Sequence, residues 1–273
     1  MLWETITSVQ NPLIKRLHQL HSKKSRDEQG SYLVEGIHLV EEACKSSQKV
    51  ETLLFDGEAG LDRQVTSLLE QYSALNGHEP RMIATSSAII EKLSETKSPQ
   101  GIVAELKKPS HDWNAWWSDV SRQEYLVVVL DEIQDPGNLG TILRTADAAG
   151  ADGVILCGGN VDLYNGKVVR STMGSLFRVP VFSVERSSLM EQVKRSNGRL
   201  LVTSLGESSK AYDEPIYQGR TAIVIGNEGR GVSPEILRQA TETVHIPLYG
   251  QAESLNAAVA TGIMLYEARR QRK

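Results

Sequence analysis

The sequence predicts an α/β protein built from two domains. In the C-terminal half, short runs of aliphatic, β-branched residues alternate with segments of helical spacing, which is typical of a parallel sheet covered by helices. The first hundred or so residues alternate in the same way on a smaller scale, and the 273 residues exceed one typical domain. We therefore predict an N-terminal α/β domain over residues 1–108, a linker over 109–122 and a C-terminal domain over 123–273.

The N-terminal elements follow from the spacing of apolar residues. Leu13, Leu17 and Leu20 share one face of a helix that is predicted over residues 11–21. Further helices are predicted over 37–46, 62–75 and 89–93, and strands over 32–34, 50–55, 81–83 and 102–106. The linker carries Trp113, Trp116 and Trp117, which is too apolar for a free linker, so we expect it to pack on its own domain or on a partner chain. Stacking of these tryptophans on a cofactor is the alternative.

The C-terminal elements are predicted from buried apolar runs and from one long periodic segment. Strands are predicted over 125–130, 153–156, 200–204, 221–225 and 244–246. A last helix is predicted from about 254 to 270, and its apolar stripe belongs either to the core or to a dimer interface. The stripe consists of Leu255, Ala258, Val259, Gly262, Ile263 and Tyr266.

Composition limits the class of protein. Hydrophobic residues make up 40% of the chain and charged residues 23%, as in ordinary globular proteins. No apolar stretch approaches the roughly 18 residues that span a membrane, and the N-terminus lacks the layout of a secretion signal. Cys44 and Cys157 have no paired spacing, so neither a disulfide framework nor a metal site is indicated. We expect a cytoplasmic protein with reduced cysteines and no metal.

The net charge of −4 argues mildly against nonspecific binding of nucleic acid, but basic residues cluster near the N-terminus. The cluster consists of Lys15, Arg16, Lys23, Lys24 and Arg26. It is either a solvated helix face or a patch that contacts RNA phosphates.

Three polar segments follow predicted strands of the C-terminal half, where α/β proteins bind ligands. The first, residues 135–147, brings Asn138 and Arg144 near the start of a helix. In the second, residues 226–232, three glycines surround Glu228, which suggests a ligand cradle because glycine allows close approach to the backbone. The third, residues 253–260, carries Ser254 and Asn256 at the start of the last helix, and Ser254 could also be an N-cap.

In this order and spacing, the three segments resemble the signature motifs of the SpoU (TrmH) family of RNA ribose 2′-O-methyltransferases, within the SPOUT superfamily. The resemblance runs from about Tyr125 to Arg270, and the stretch 167–180 is similar to the family's region between its first two motifs. The short patterns at 8–12, 32–36 and 98–101 resemble, less specifically, the RNA-binding accessory domain that precedes many SpoU domains.

The resemblance implies a fold, a reaction and a set of site residues. It implies a deep trefoil knot near the C-terminus, a homodimer with active sites near the twofold interface, S-adenosyl-L-methionine as methyl donor and RNA as acceptor. The implied substrate is 23S ribosomal RNA, with transfer RNA as the alternative. The implied catalytic residues are Arg144, Asn138, Glu228, Ser254 and Asn256, and the implied cofactor-binding residues are Ser204, Leu205, Gly206, Gly226, Ile246 and Leu255.

The implied role of Arg144 stays open between two readings. It could accept the ribose proton, although a guanidinium keeps its proton and is a poor base, or it could only orient the acceptor and stabilise developing charge. Asn138 would position Arg144 or the ribose, and Glu228 would anchor an arginine or its own loop. Ser254 and Asn256 would fix the third segment and the substrate. Gly226 would let the nucleoside lie against the chain, so we expect Gly226→Trp to abolish cofactor binding but keep the fold.

Two other classes of protein fit parts of the pattern. A nicotinamide-dependent oxidoreductase would suit the sheet and the glycines, but the first turn, residues 135–140, lacks the spacing Gly-x-Gly-x-x-Gly. A noncatalytic RNA-binding protein with a degenerate domain would not be expected to keep Arg144, Glu228, Ser254 and Asn256 together.

Overall fold

The computed structural model describes residues 3–58, 66, 67, 69, 72, 73, 77, 79–206 and 208–272. The chain divides into two units, which we describe separately. One unit comprises Met1–Ser110 and Tyr164–Phe177, and the other comprises His111–Leu163 and Arg178–Lys273. Among the described residues, no helix has the length and apolar character needed to cross a membrane.

The N-terminal unit is built on a mixed sheet of five strands. The strands are β1 (Glu4–Ile6), β2 (Ser31–Glu35), β3 (Val50–Asp56), β4 (Arg81–Thr85) and β5 (Ile102–Lys107). Their order is β1-β4-β3-β5-β2, and β5 runs antiparallel to both of its neighbours. Strands β2 to β5 confirm the predicted ones. The three-residue strand β1 was not predicted, because it is too short to show a period.

Four helices that the structure describes between residues 3 and 110 flank this sheet. They are α1 (Pro12–Gln19), α2 (Lys23–Gln29), α3 (Ile37–Cys44) and α4 (Ser87–Leu93). The helix predicted over 11–21 ends at Gln19, and a second helix begins after its N-cap Ser22. Gly30 ends this second helix with a left-handed backbone conformation. The helix predicted over 62–75 falls largely on residues outside the described part of the chain.

The C-terminal unit contains a sheet of seven parallel strands. The strands are β6 (Leu126–Asp131), β7 (Gly153–Cys157), β8 (Val181–Val184), β9 (Arg199–Thr203), β10 (Lys210–Ala211), β11 (Thr221–Gly226) and β12 (Glu242–His245). Their order is β10-β12-β9-β11-β6-β7-β8. Five strands confirm the prediction, whereas β8 and β10 have only four and two residues and are too short to have been recognised. The central strands β6 and β11 are buried along their whole length, as their continuous apolar runs predict.

Six further helices complete the described chain. They are α5 (Trp113–Val120), α6 (Pro136–Ala148), α7 (Gly166–Ser171), α8 (Arg186–Arg195), α9 (Pro234–Leu237) and α10 (Ala257–Gln271). The predicted linker is therefore partly helical: α5 packs into the core of the C-terminal unit, where Trp117 is buried beside Tyr125 and Val193. The last helix starts at Ala257 with Asn256 as its N-cap, so Ser254 is not the cap.

Residues 164–177 connect β7 to β8 in sequence but pack in the N-terminal unit. Val168 and Val169 of α7 are buried there, and the Arg170 guanidinium contacts Glu35 at 2.7 Å and Glu95 at 3.2 Å. We call this segment the strap. It supplies the N-terminal unit with part of its buried apolar surface, from a position far along the chain.

Candidate active site

A chain of hydrogen bonds joins the three polar segments at the carboxyl edge of the parallel sheet. Nδ2 of Asn256 donates to Oδ1 of Asn138 at 2.8 Å, and Nδ2 of Asn138 donates to Oε1 of Glu228 at 3.0 Å. Three residues that are far apart in sequence, on α6, the loop after β11 and the start of α10, are thus brought into direct contact. Both functional groups of the Asn138 amide are engaged, which fixes its orientation.

Glu228 is the acceptor at the end of this chain. Its carboxylate also accepts the backbone N–H groups of Gln134 and Asp135, each at 3.2 Å. Burial acts to raise the pKa of Glu228, but the hydrogen bonds from Asn138 and from these backbone groups prevail and lower the pKa below its ordinary value. Glu228 is therefore held as a carboxylate that binds the turn before α6.

Local sequence explains how these side chains are positioned. Asp135 caps α6 by accepting the backbone N–H of Asn138 at 2.8 Å, and Pro136 occupies the first helical position, where its missing N–H costs nothing. At the start of α10, Oδ1 of Asn256 accepts the N–H groups of Ala258 and Val259. Each amide of the hydrogen-bond chain is therefore anchored at a helix start.

The loop after β11 is a closed turn. Asn227 and Gly231 exchange backbone hydrogen bonds, and Oδ1 of Asn227 accepts the N–H groups of Gly229 and Arg230, both at 3.0 Å. The sequence analysis did not single out Asn227. Its position before two glycines, where asparagine often bonds to its own turn, was the available signal.

Gly226 has a different role from the one expected. A Cβ atom at this position would overlap the backbone of Gly231 and Val232. The glycine therefore allows the chain's own loop to fold back on β11, and it is not primarily a surface for a ligand. The expectation that Gly226→Trp would keep the fold is wrong, because the space is already taken by backbone.

A cleft of about 1000 Å³ lies beside the hydrogen-bond chain. Nine of the predicted residues line it: Asn138, Ser204, Leu205, Gly226, Glu228, Ile246, Ser254, Leu255 and Asn256. Gly206 and Arg144 are not among its lining residues. Sequence analysis missed several others, which are Asn227, Arg230, Gly231, Val232, Leu237, His245, Leu248 and Met264.

Arg144 lies on the exposed side of α6, about two turns after Asn138. Within the described chain, its guanidinium forms no hydrogen bond or ion pair. A permanent cation is thus left exposed on a helix that also packs against α10. The structure does not bring Arg144 into the hydrogen-bond chain of Asn138, Glu228 and Asn256.

Nδ1 of His245 is buried and has no hydrogen-bond partner among the described residues. A buried polar atom without a partner is costly, so this nitrogen is an unsatisfied group of the fold beside the cleft lining. Within the described part of the chain, no group of three potential metal-ligating side chains is found.

The basic cluster of the N-terminal unit is largely occupied by internal contacts. Arg16 forms a bidentate pair with the buried Glu105 at 2.7 and 2.8 Å, and Lys23 contacts Asp27 at 2.5 Å. Lys24 lies 3.8 Å from Glu28. Arg16 is held by a buried partner, so we expect less phosphate contact from it than the sequence suggested. The pairs of Lys23 and Lys24 are exposed and therefore weak, so both lysines stay predicted phosphate contacts.

Arg26 departs furthest from the expectation. It is 3% exposed, and its guanidinium donates to the carbonyl oxygens of Leu20 and His21. This guanidinium ties the end of α1 to α2, so Arg26 is removed from the predicted RNA contacts. Lys15 stays exposed and has no ion-pair partner among the described residues.

Two family models match parts of the chain. The model of the SpoU rRNA Methylase family matches residues 125–266, and that of the MRM3-like substrate binding domain matches residues 11–104. The chain is 36% identical to the 23S rRNA (guanosine(2553)-2′-O)-methyltransferase RlmP of Bacillus subtilis (strain 168), over 97% of this chain and 98% of that protein.

Two solved structures are similar over nearly the whole length. The AdoMet-bound rRNA methyltransferase from Sinorhizobium meliloti has a TM-score of 0.86 and 33% identity, and covers 98% of this chain and 97% of its own. The SpoU methyltransferase AviRb from Streptomyces viridochromogenes, in complex with AdoMet, has a TM-score of 0.83 and 32% identity, and covers 96% of this chain and 98% of its own. The chain belongs to the SpoU rRNA methylase family.

Proposed function

We propose that this protein transfers the methyl group of S-adenosyl-L-methionine to a ribose 2′-hydroxyl of 23S ribosomal RNA. The observation that carries the proposal is the hydrogen-bond chain of Asn256, Asn138 and Glu228 beside a large cleft, in a member of the SpoU family. The names of the similar proteins, which include a 23S rRNA 2′-O-methyltransferase, favour ribosomal RNA over transfer RNA.

The cleft fits the methyl donor in size and in chemistry. Its volume of about 1000 Å³ is at the upper end of the range for small-molecule sites. Backbone groups at Gly226, Ile246 and Leu255 would hold the donor's adenosine, with Ser204, Leu205 and the adjoining Gly206 along one side. When bound, the donor supplies a methyl group on a sulfonium, which needs an aligned nucleophile.

The residues of the hydrogen-bond chain, together with Arg144, would align the ribose that accepts the methyl group. Asn138 is fixed by Glu228 and Asn256, so it presents one orientation of its amide to the substrate. Arg144, a permanent cation, would orient the ribose and stabilise the charge that develops on its oxygen. This role suits a guanidinium better than proton abstraction does, because a guanidinium keeps its proton and is a poor base.

The proposal includes a homodimer. Val259 and Tyr266 of α10 are 52% and 55% exposed in the single chain. Exposed apolar and aromatic side chains are typical of surfaces that bind another protein chain. Arg144 projects from the neighbouring α6 and does not line the cleft of its own chain. A second copy seated on α6 and α10 would cover the apolar side chains and bring further groups to each site.

We also infer the trefoil knot and a cytoplasmic location. Strand β12 lies beyond β9, yet the chain returns to pack α10 against α6, and the cleft is lined by the three loops that such a crossing involves. Knots are rare, so the family resemblance is the main support. Both cysteines are buried and free, which suits a reducing compartment.

Mapping of ribose methylation in total RNA, with and without the gene, tests the proposed function. We expect one position of 23S ribosomal RNA to lose its methyl group and to regain it when the intact gene, but not an Arg144→Ala variant, is returned. Loss of a methyl group from transfer RNA instead would show that transfer RNA is the substrate. An unchanged methylation map would contradict the proposed function.

A further inference from the structure

Arg230 is a cation at the rim of the cleft that the motif comparison leaves without a role. Its side chain is 73% exposed, and its guanidinium contacts Oε2 of Glu132 at 2.6 Å. It follows Glu228 by two residues and lines the same cleft as Asn138 and Asn256. A cation therefore lines the cleft in which the proposed reaction would take place.

Hydrogen bonds fix the backbone of Arg230, whereas a single ion pair holds its side chain. Asn227 accepts the N–H of Arg230, and the exchange of hydrogen bonds between Asn227 and Gly231 closes the loop. The single described ion pair of the side chain is the one with Glu132. An ion pair whose cation is exposed to water contributes little to stability, so Arg230 can readily exchange Glu132 for another anion.

Glu132 keeps a partner when Arg230 leaves. Its other oxygen, Oε1, accepts a terminal N–H of Arg186 at 2.5 Å, and Arg186 also donates to the buried Asp131 at 2.8 Å. Two guanidinium groups thus share one carboxylate. Departure of Arg230 would not leave a carboxylate unpaired, so the exchange carries little electrostatic cost.

We propose that Arg230 binds a backbone phosphate of the RNA beside the acceptor ribose, and that Glu132 holds its guanidinium in the free enzyme. The planar guanidinium matches two phosphate oxygens, and a fixed loop with a movable side chain suits a strand that must enter and leave. The inference rests on the proposed RNA substrate. It assigns a phosphate ligand to the C-terminal unit, and because the whole chain has a net charge of −4, RNA binding depends on local cations of this kind.

The test measures binding of deproteinised 23S ribosomal RNA by the full chain across a range of salt concentrations. We expect Arg230→Ala to weaken binding about tenfold at moderate salt. The slope of log affinity against log salt should flatten by about 0.7–0.9, the value for one lost phosphate contact. The KM for RNA should rise about tenfold with kcat within about twofold, and cofactor affinity measured by calorimetry should be unchanged.

The matched control is Arg195→Ala. Arg195 is 69% exposed and contacts Glu191 at 2.6 Å, so it has the same kind of ion pair but lies on α8, away from the cleft lining. This variant should leave both RNA affinity and its salt slope unchanged. An Arg230→Ala variant that behaves like this control would overturn the inference, as would a loss of cofactor affinity with RNA binding intact, because Arg230 would then bind the carboxylate of the methyl donor.

Glu132→Gln tests the holding contact. Removing the competing carboxylate should strengthen RNA binding about threefold, in line with the small free energy of an exposed pair. Unchanged or weaker binding would contradict the part assigned to Glu132. Because RNA binding is read without methyl transfer, a chain that binds RNA through Arg230 but methylates nothing would contradict the proposed function and leave this inference standing.

Discussion

At the scale of single residues, Gly226 shows how a motif glycine can serve the fold before it serves a ligand. Because a Cβ here would overlap the backbone of Gly231 and Val232, we expect Gly226→Ala to lower the free energy of unfolding by roughly 3 kcal/mol or more. Chemical denaturation measures the change. Gly229→Ala in the same loop is the control, since its Cβ would meet its nearest atom at 3.7 Å, and similar losses in both variants would argue against the steric cause.

Arg144 permits a second prediction at this scale, which separates chemistry from cofactor binding. It is exposed and does not line the cleft, so Arg144→Ala should remove methyl transfer but leave the affinity for S-adenosyl-L-methionine nearly unchanged. A tritium-transfer assay beside a calorimetric titration tests this. Equal loss of both properties would mean that Arg144 supports the architecture of the cleft.

At the scale of elements, the pair of Arg16 and Glu105 joins α1 to β5. Burial acts to raise the pKa of Glu105, but the hydrogen bonds from Arg16 and Thr52 prevail and lower it. The contribution to stability is therefore present above the unfolded pKa of about 4.3 and is lost as pH falls through the lower folded value. The Arg16–Glu105 pair therefore stabilises the N-terminal unit near neutral pH.

We expect Glu105→Gln to lower the free energy of unfolding by roughly 2 kcal/mol near pH 7, because the guanidinium of Arg16 loses its charged partner. The difference from the parent chain should shrink as pH falls below about 4. Urea unfolding at several pH values measures it. Glu4→Gln, which breaks the exposed pair with Arg81, should have a smaller effect, and a pH-independent difference at Glu105 would contradict the electrostatic origin.

The elements also show which features of the structure can be predicted from the sequence. Buried strands such as β6 and β11 were predicted because a parallel sheet buries both faces and leaves a continuous apolar run. The burial of Arg26 was not predicted, because the sequence does not show that its guanidinium donates to two backbone carbonyl groups. The motif residues of the cleft were found through their resemblance to a family, whereas Arg186 and Arg230 meet at Glu132 only through tertiary structure.

At the scale of the whole molecule, the proposed homodimer depends on the exposed face of α10. We expect Val259→Asp to shift the protein from dimer to monomer in sedimentation, because an unpaired charge in an apolar interface is costly. Methyl transfer should fall with it. Trp3→Ser removes an equally exposed apolar side chain from the N-terminal unit and should leave the dimer intact. A parent chain that sediments as a monomer at micromolar concentration would contradict the dimer.

The division into units predicts where the chain can be cut. A fragment that begins at Arg122 lacks α5, and thus the buried Trp117, and it exposes Val168, Val169 and Leu176 of the strap. We expect it to aggregate, since loss of a buried tryptophan alone costs roughly 3–5 kcal/mol. A fragment from His111 in which a short Gly-Ser linker replaces residues 164–177 should stay soluble and bind cofactor. Equal behaviour of the two fragments in gel filtration would contradict these assignments.

The strap also sets the order in which the molecule can be completed on the ribosome. Domains generally fold as they emerge, with the N-terminal one first. Here the first 110 residues lack the valines of α7 that the N-terminal unit buries, and these valines emerge only after β6, α6 and β7 have been synthesised. The unit that we propose to bind RNA therefore reaches its finished form only when translation of the other unit is well under way, so a nascent chain cannot engage ribosomal RNA through a complete N-terminal unit before then.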